Sequence, residues 1–90
     1  MKVGKHTAFM IDFIKCFVNG EIDRFFFDLD YSAYVIEHFP YIEQENAGLA
    51  ERFAYTVDQA YEQGTDNGLS DEKFKDEISR ALDAWLAGTL

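Results

Sequence analysis

Ninety residues, 48% of them hydrophobic and 17% aromatic, are enough for one domain with a single small core and too apolar for an intrinsically disordered chain. The formal net charge of -9 disfavours direct nucleic-acid binding, because phosphate contacts need clustered Lys and Arg. No segment approaches the roughly 18 to 20 continuous apolar residues of a membrane span, and a single cysteine, Cys16, excludes an internal disulfide and a thiol metal cluster.

Lys2 and Lys5 precede an apolar run that Asp12 and Lys15 interrupt, which is not the pattern of a secretory leader, so a cytoplasmic location is expected. The first helix is read from about Ala8 to Val18, with Thr7 as its N-cap. Phe9, Met10, Phe13, Ile14 and Phe17 recur at helical spacing on one face, and Gly20 supplies the stop. The second helix is read from about Ile22 to Phe39, with Glu21 and Asp23 at its positive end and Pro40 ending it. Its core stripe is read as Ile22, Phe25, Phe26, Leu29, Ala33 and Ile36. Phe27, Tyr31, Tyr34 and His38 then fall on the opposite face, as a possible secondary interface or as a face covered by a neighbour.

The third helix is read from about Asn46 to Glu62, with Leu49, Phe53, Val57 and Ala60 inward, and residues 63–69 as a loop rich in Gly, Asp and Asn. The fourth runs from about Asp71 to Ala87, capped by Ser70 and closed by Gly88, with Phe74, Ile78, Ala81, Leu82 and Trp85 inward. Four amphipathic helices with short connections predict an all-α, antiparallel four-helix bundle spanning the whole chain as one domain.

The charge is not spread evenly. Residues 25–72 hold one Arg against eleven carboxylates, a balance of -10, while the flanking segments are close to neutral. At about 100° per residue, Glu51, Tyr55, Asp58 and Glu62 share one stripe opposite the core face of the third helix, and Asp66 extends it. Such a stripe is usually a solvated face, but with so few nearby cations it suits a basic partner. An enzyme is not expected. The chain has no phosphate loop and no nucleophile elbow, and its only histidines, His6 and His38, show no spacing that suggests a metal site. No cofactor is expected, and Cys16 reads as a helix residue rather than a functional thiol.

The segment Ala50-Glu51-Arg52-Phe53, then twelve residues, then Asp66-Asn67-Gly68-Leu69 ahead of a charged amphipathic helix, resembles the immunity proteins of colicin D. Ile11-Asp12-Phe13 before an apolar helix, and Gly20-Glu21-Ile22-Asp23 opening the next, are similar to the same group and to immunity proteins of contact-dependent growth inhibition systems. The resemblance implies a four-helix bundle that binds the C-terminal domain of a transfer-RNA-cleaving toxin and sets carboxylates where substrate phosphates would lie. Carried over by position, it falls on Glu51 and Asp58, while Thr56 stands where an acid is expected. The alternative is an acidic helical adaptor that docks on a basic protein outside any toxin system.

Overall fold

The periodic segments form four helices in the computed structural model, which describes residues 3–87. α1 is Lys5–Val18 and α2 is Arg24–Glu45. α3 covers residues 47–66 as Ala47–Phe53, a π turn over Ala54–Asp58, and Gln59–Asp66. α4 is Asp71–Ala87. No strand occurs among the described residues, and the chain is an all-α helical bundle. Gly88, the expected stop of α4, lies outside the described residues.

Each helix packs on two others: α1 and α3 both lie between α2 and α4. The contacts show the direction of travel. Phe17 near the end of α1 stacks on Phe27 near the start of α2 at 4.2 Å, while Thr7 at the start of α1 meets Glu45 at the end of α2. Trp85 near the end of α4 donates its indole N–H to the Leu49 carbonyl near the start of α3 at 3.0 Å. The 33 Å long axis is about the length of α2, 22 residues at roughly 1.5 Å each.

The core is aromatic. Phe17, Phe27 and Phe74 cluster at one end of the bundle, and Phe53 meets Trp85 edge-on at 4.9 Å towards the other. Leu49, Phe53 and Val57 of α3 and the whole expected stripe of α4 are buried. Arg24 ties the two halves together. Its guanidinium lies 4.2 Å from the Phe74 ring centroid, donates to the Leu69 carbonyl, and pairs with Asp71 at 3.2 Å.

The helix ends depart from expectation in three places. Thr7 is not the N-cap of α1. The helix begins three residues earlier than expected, after Gly4, and Thr7 is buried in its first turn. The cap comes from another helix: Glu45 accepts from the His6 and Thr7 amides, both at 3.0 Å, and from the Thr7 hydroxyl at 2.7 Å. A carboxylate there satisfies free amides and meets the positive end of the helix dipole. Pro40 does not end α2, which runs on for five more residues. Pro40 is exposed, so its missing N–H and its ring fall on the solvent side, while buried Ile42 and the Glu45 cap anchor the last turn.

The third departure is at the end of α3. Residues 63–66, expected in a loop, are helical, and only Asn67-Gly68-Leu69-Ser70 connect to α4. Gly68 makes the turn at φ +61°, and the Leu69 amide returns to the Gly64 carbonyl. Gly64 is buried inside the helix because a Cβ there would lie 2.5 Å from Phe74 Cδ1. Three N-caps do form as the sequence suggests or nearly so: Asp23 accepts from the Phe26 amide, Asn46 from the Leu49 amide and Ser70 from the Lys73 amide.

Two predictions follow the helix ends. Glu45→Ala should cost about 1–2 kcal/mol at neutral pH, as the loss of an N-cap does. Partial desolvation raises the Glu45 carboxyl, but the Thr7 hydroxyl and the two amides outweigh it and hold the group below the usual carboxylate range. That stabilisation is present above the ordinary carboxylate pKa and is lost as pH falls through the lowered folded-state value, so melting curves of wild type and variant should converge in acid. Gly64→Ala should destabilise by about 1–2 kcal/mol in urea titrations. Overpacking against a ring wedged by Arg24 outweighs the gain of roughly 1 kcal/mol in helix propensity.

Candidate binding surface

α2 carries apolar residues on two opposite faces, and only one of them can face the core. The core takes the face opposite to the expected one. Phe27 and Tyr31 are buried, and Tyr34 and His38 are half-buried, so this set is core lining and not a secondary interface. Their rings fit between the aromatics of α1 and α3. Phe27 stacks on Phe13 and Phe17, Tyr31 stacks on Tyr61 at 3.9 Å, and Tyr34 meets Phe9 and Phe13 edge-on at 4.9 Å.

The polar tips of Tyr31 and His38 also find partners, which is what admits them to the interior. Tyr31 donates to Asp58 at 2.9 Å, and the ring nitrogens His6 Nδ1 and His38 Nδ1 are 2.8 Å apart. The two histidines, unrelated in sequence spacing, are thus neighbours. One ring must accept while the other donates, so two imidazolium rings would not satisfy this contact. Glu37 is 3.9 Å from His38 Nε2. Among the described residues no group of three or more His, Cys, Asp or Glu is placed to hold a metal ion.

The expected core stripe of α2 is left outside. Phe25 is 69% exposed, Phe26 53%, Leu29 63% and Ile36 76%, and Ala33 is exposed between them. Only Ile22, ahead of the helix, packs partly against the core.

The acidic stripe of α3 is outward but divided. A π turn takes up one more residue than an α turn, so side chains beyond it are rotated relative to those before it. Exposed Glu51 and Tyr55 share a shallow groove with Gly48, Arg52 and Thr56. Tyr55 also reaches the groove between α3 and α4, beside Gln59 and Arg80. Asp58 and Glu62 turn the other way. They line a groove of about 360 Å³ between α3 and α2, opposite Ser32, Val35 and Ile36, with Tyr31 and Tyr61 at its base and no cation in its lining. Asp66 is exposed in the last turn of α3, apart from both groups. Thr56 bonds to its own helix at the Arg52 carbonyl.

The phenols beneath this groove stay protonated. Burial pushes the Tyr31 hydroxyl far up, and the Asp58 charge adds to it. Burial and the neighbouring Asp28 push Tyr61 up to about 12. Tyr31 is therefore a fixed donor to Asp58, and the Asp58 carboxylate is held at the edge of the groove. The geometry presents negative charge on a rigid wall next to aliphatic side chains.

No family model, curated protein or solved structure matches the chain. No helix among the described residues is long and apolar enough to cross a membrane.

The exposed residues Phe25, Phe26, Leu29 and Ile36 are the part of this surface that sequence reasoning missed. The available signal was that α2 is apolar on two faces, which marks one face as surplus to the core. The orientation predicts a clear contrast. Leu29→Ser with Ile36→Ser should leave the melting temperature nearly unchanged, within about 0.5 kcal/mol per site. Phe27→Ala should cost about 3–5 kcal/mol.

Proposed function

We propose that this protein is a non-catalytic, acidic inhibitor that occludes the basic site of a toxic ribonuclease, as a cognate immunity protein does. One observation supports the reading above the others. Asp58 and Glu62 stand together on a groove wall with no cation in its lining among the described residues, within the most acidic half of the chain. A ribonuclease site gathers Lys, Arg and His to hold phosphates, and carboxylates set among them form charge-assisted hydrogen bonds. Opposite potentials also speed encounter, which matters when free toxin is lethal. The resemblance to colicin D immunity proteins supplies the ribonuclease part of this proposal. Glu51 and Tyr55, around the π turn from the carboxylate pair, are a second contact of the same partner, and Asp66 at the end of α3 adds to the negative field.

The test is co-expression with the basic C-terminal domain of the protein encoded next to this gene. That domain should kill alone and be harmless with the wild-type chain. Glu51→Lys with Glu62→Lys, both exposed and clear of the Tyr31–Asp58 bond, should weaken the complex by about a hundredfold or more, while Asp76→Lys with Asp83→Lys should leave it nearly unchanged. Equal effects of the two pairs would overturn the assignment of the groove. Survival of cells making the toxin domain alone would overturn the inhibitor reading in favour of an acidic adaptor.

A further inference from the structure

The outer face of α2 has no place in the proposal above, since plugging a phosphate site needs carboxylates and not a phenylalanine pair. We propose that this face docks an amphipathic helix of a protein partner, one whose apolar ridge is flanked by Lys and Arg. The inference does not rest on the ribonuclease reading.

The face is built for a helix. Phe25, Leu29 and Ile36 are four and seven residues apart, a continuous stripe of about three turns, roughly 16 Å long. Phe26 and Ala33 widen it, and the Phe25 and Phe26 rings meet edge-on at 5.4 Å. Four large apolar side chains, each more than half exposed and contiguous, are unusual on a free surface.

Charge chooses the occupant. On the side facing α3, the stripe is bordered by Asp28 and, across the groove from Ile36, by Asp58 and Glu62. On the other side Asp30 and Glu37 lie seven residues apart along one edge. The single cation of α2, Arg24, is already engaged by Asp71, Asp28 and the Leu69 carbonyl. A second copy of the chain would bring two such acidic borders together, each on a molecule of net charge -9. A membrane surface is disfavoured for the same reason, because helices that lie on lipid carry Lys and Arg beside the apolar stripe. A basic amphipathic helix satisfies both the stripe and its borders.

The experiment uses the full chain and three synthetic helical peptides about four turns long. One has a leucine stripe flanked by Lys, one the same stripe flanked by Glu, and one the Lys composition with its leucines scattered. Titration calorimetry should show the Lys-flanked peptide binding at least about tenfold tighter than either control. Leu29→Ser with Ile36→Ser should remove that preference while the melting temperature holds, and amide shift changes on titration should centre on residues 25–36. Equal binding of the scattered Lys peptide would reduce the effect to bulk charge and overturn the proposal. So would shift changes confined to the α3–α4 groove. Self-association of the wild-type chain in sedimentation runs, lost in the double Ser variant, would assign the face to a second copy instead. Binding to phosphatidylcholine vesicles, lost in the same variant, would assign it to lipid.

Discussion

A phenol taken out of water needs an acceptor, and the interior of this bundle provides one for Tyr31 in the carboxylate of Asp58. That bond, together with the stack of Tyr31 on Tyr61, sets the rotation of α2 about its own axis. Once Tyr31 faces α3, Phe27 is carried into the cluster with Phe17 and Phe74, and His38 is carried to His6. The opposite stripe has no route to the core. Two features of the surface thus share one cause: a carboxylate fixed on a groove wall, and an apolar face turned to solvent.

The π turn in α3 acts on the same groove. An uninterrupted α-helix would have aligned Glu51, Tyr55, Asp58 and Glu62 as one acidic ridge. The extra residue in the turn leaves Tyr55 beside α4, with Glu51 next to it on α3, and swings the second pair towards α2. Asp58 can then serve the buried phenol with one oxygen and still border the open groove. Negative charge is presented on two separate patches, one beside Tyr55 and one facing α2.

The ends of the bundle are joined by side chains that reach between helices. Glu45 caps α1 from the end of α2, and Arg24 clamps the α3–α4 connection from the start of α2. Both ends of α2 are therefore held, which lets the helix keep its length through Pro40 and its outer face remain a rigid platform.

The sequence by itself determined the helical class, the number of helices, and the inward faces of α3 and α4, because there one face is plainly apolar and the other plainly polar. It also located the acidity in residues 25–72 and the Ser70 cap of α4, since these depend only on neighbours along the chain. It did not determine the rotation of α2. That helix offers two apolar faces of similar strength, and the choice between them rests on partners 27 and 32 residues away, Asp58 for Tyr31 and His6 for His38. The tertiary structure decided that rotation and the remote cap from Glu45. Side-chain hydrogen bonds across the core leave no periodic trace along the chain, so packing alone could reveal which stripe was inside. The place of the π turn, and with it the division of the acidic stripe, is likewise set by the tertiary structure.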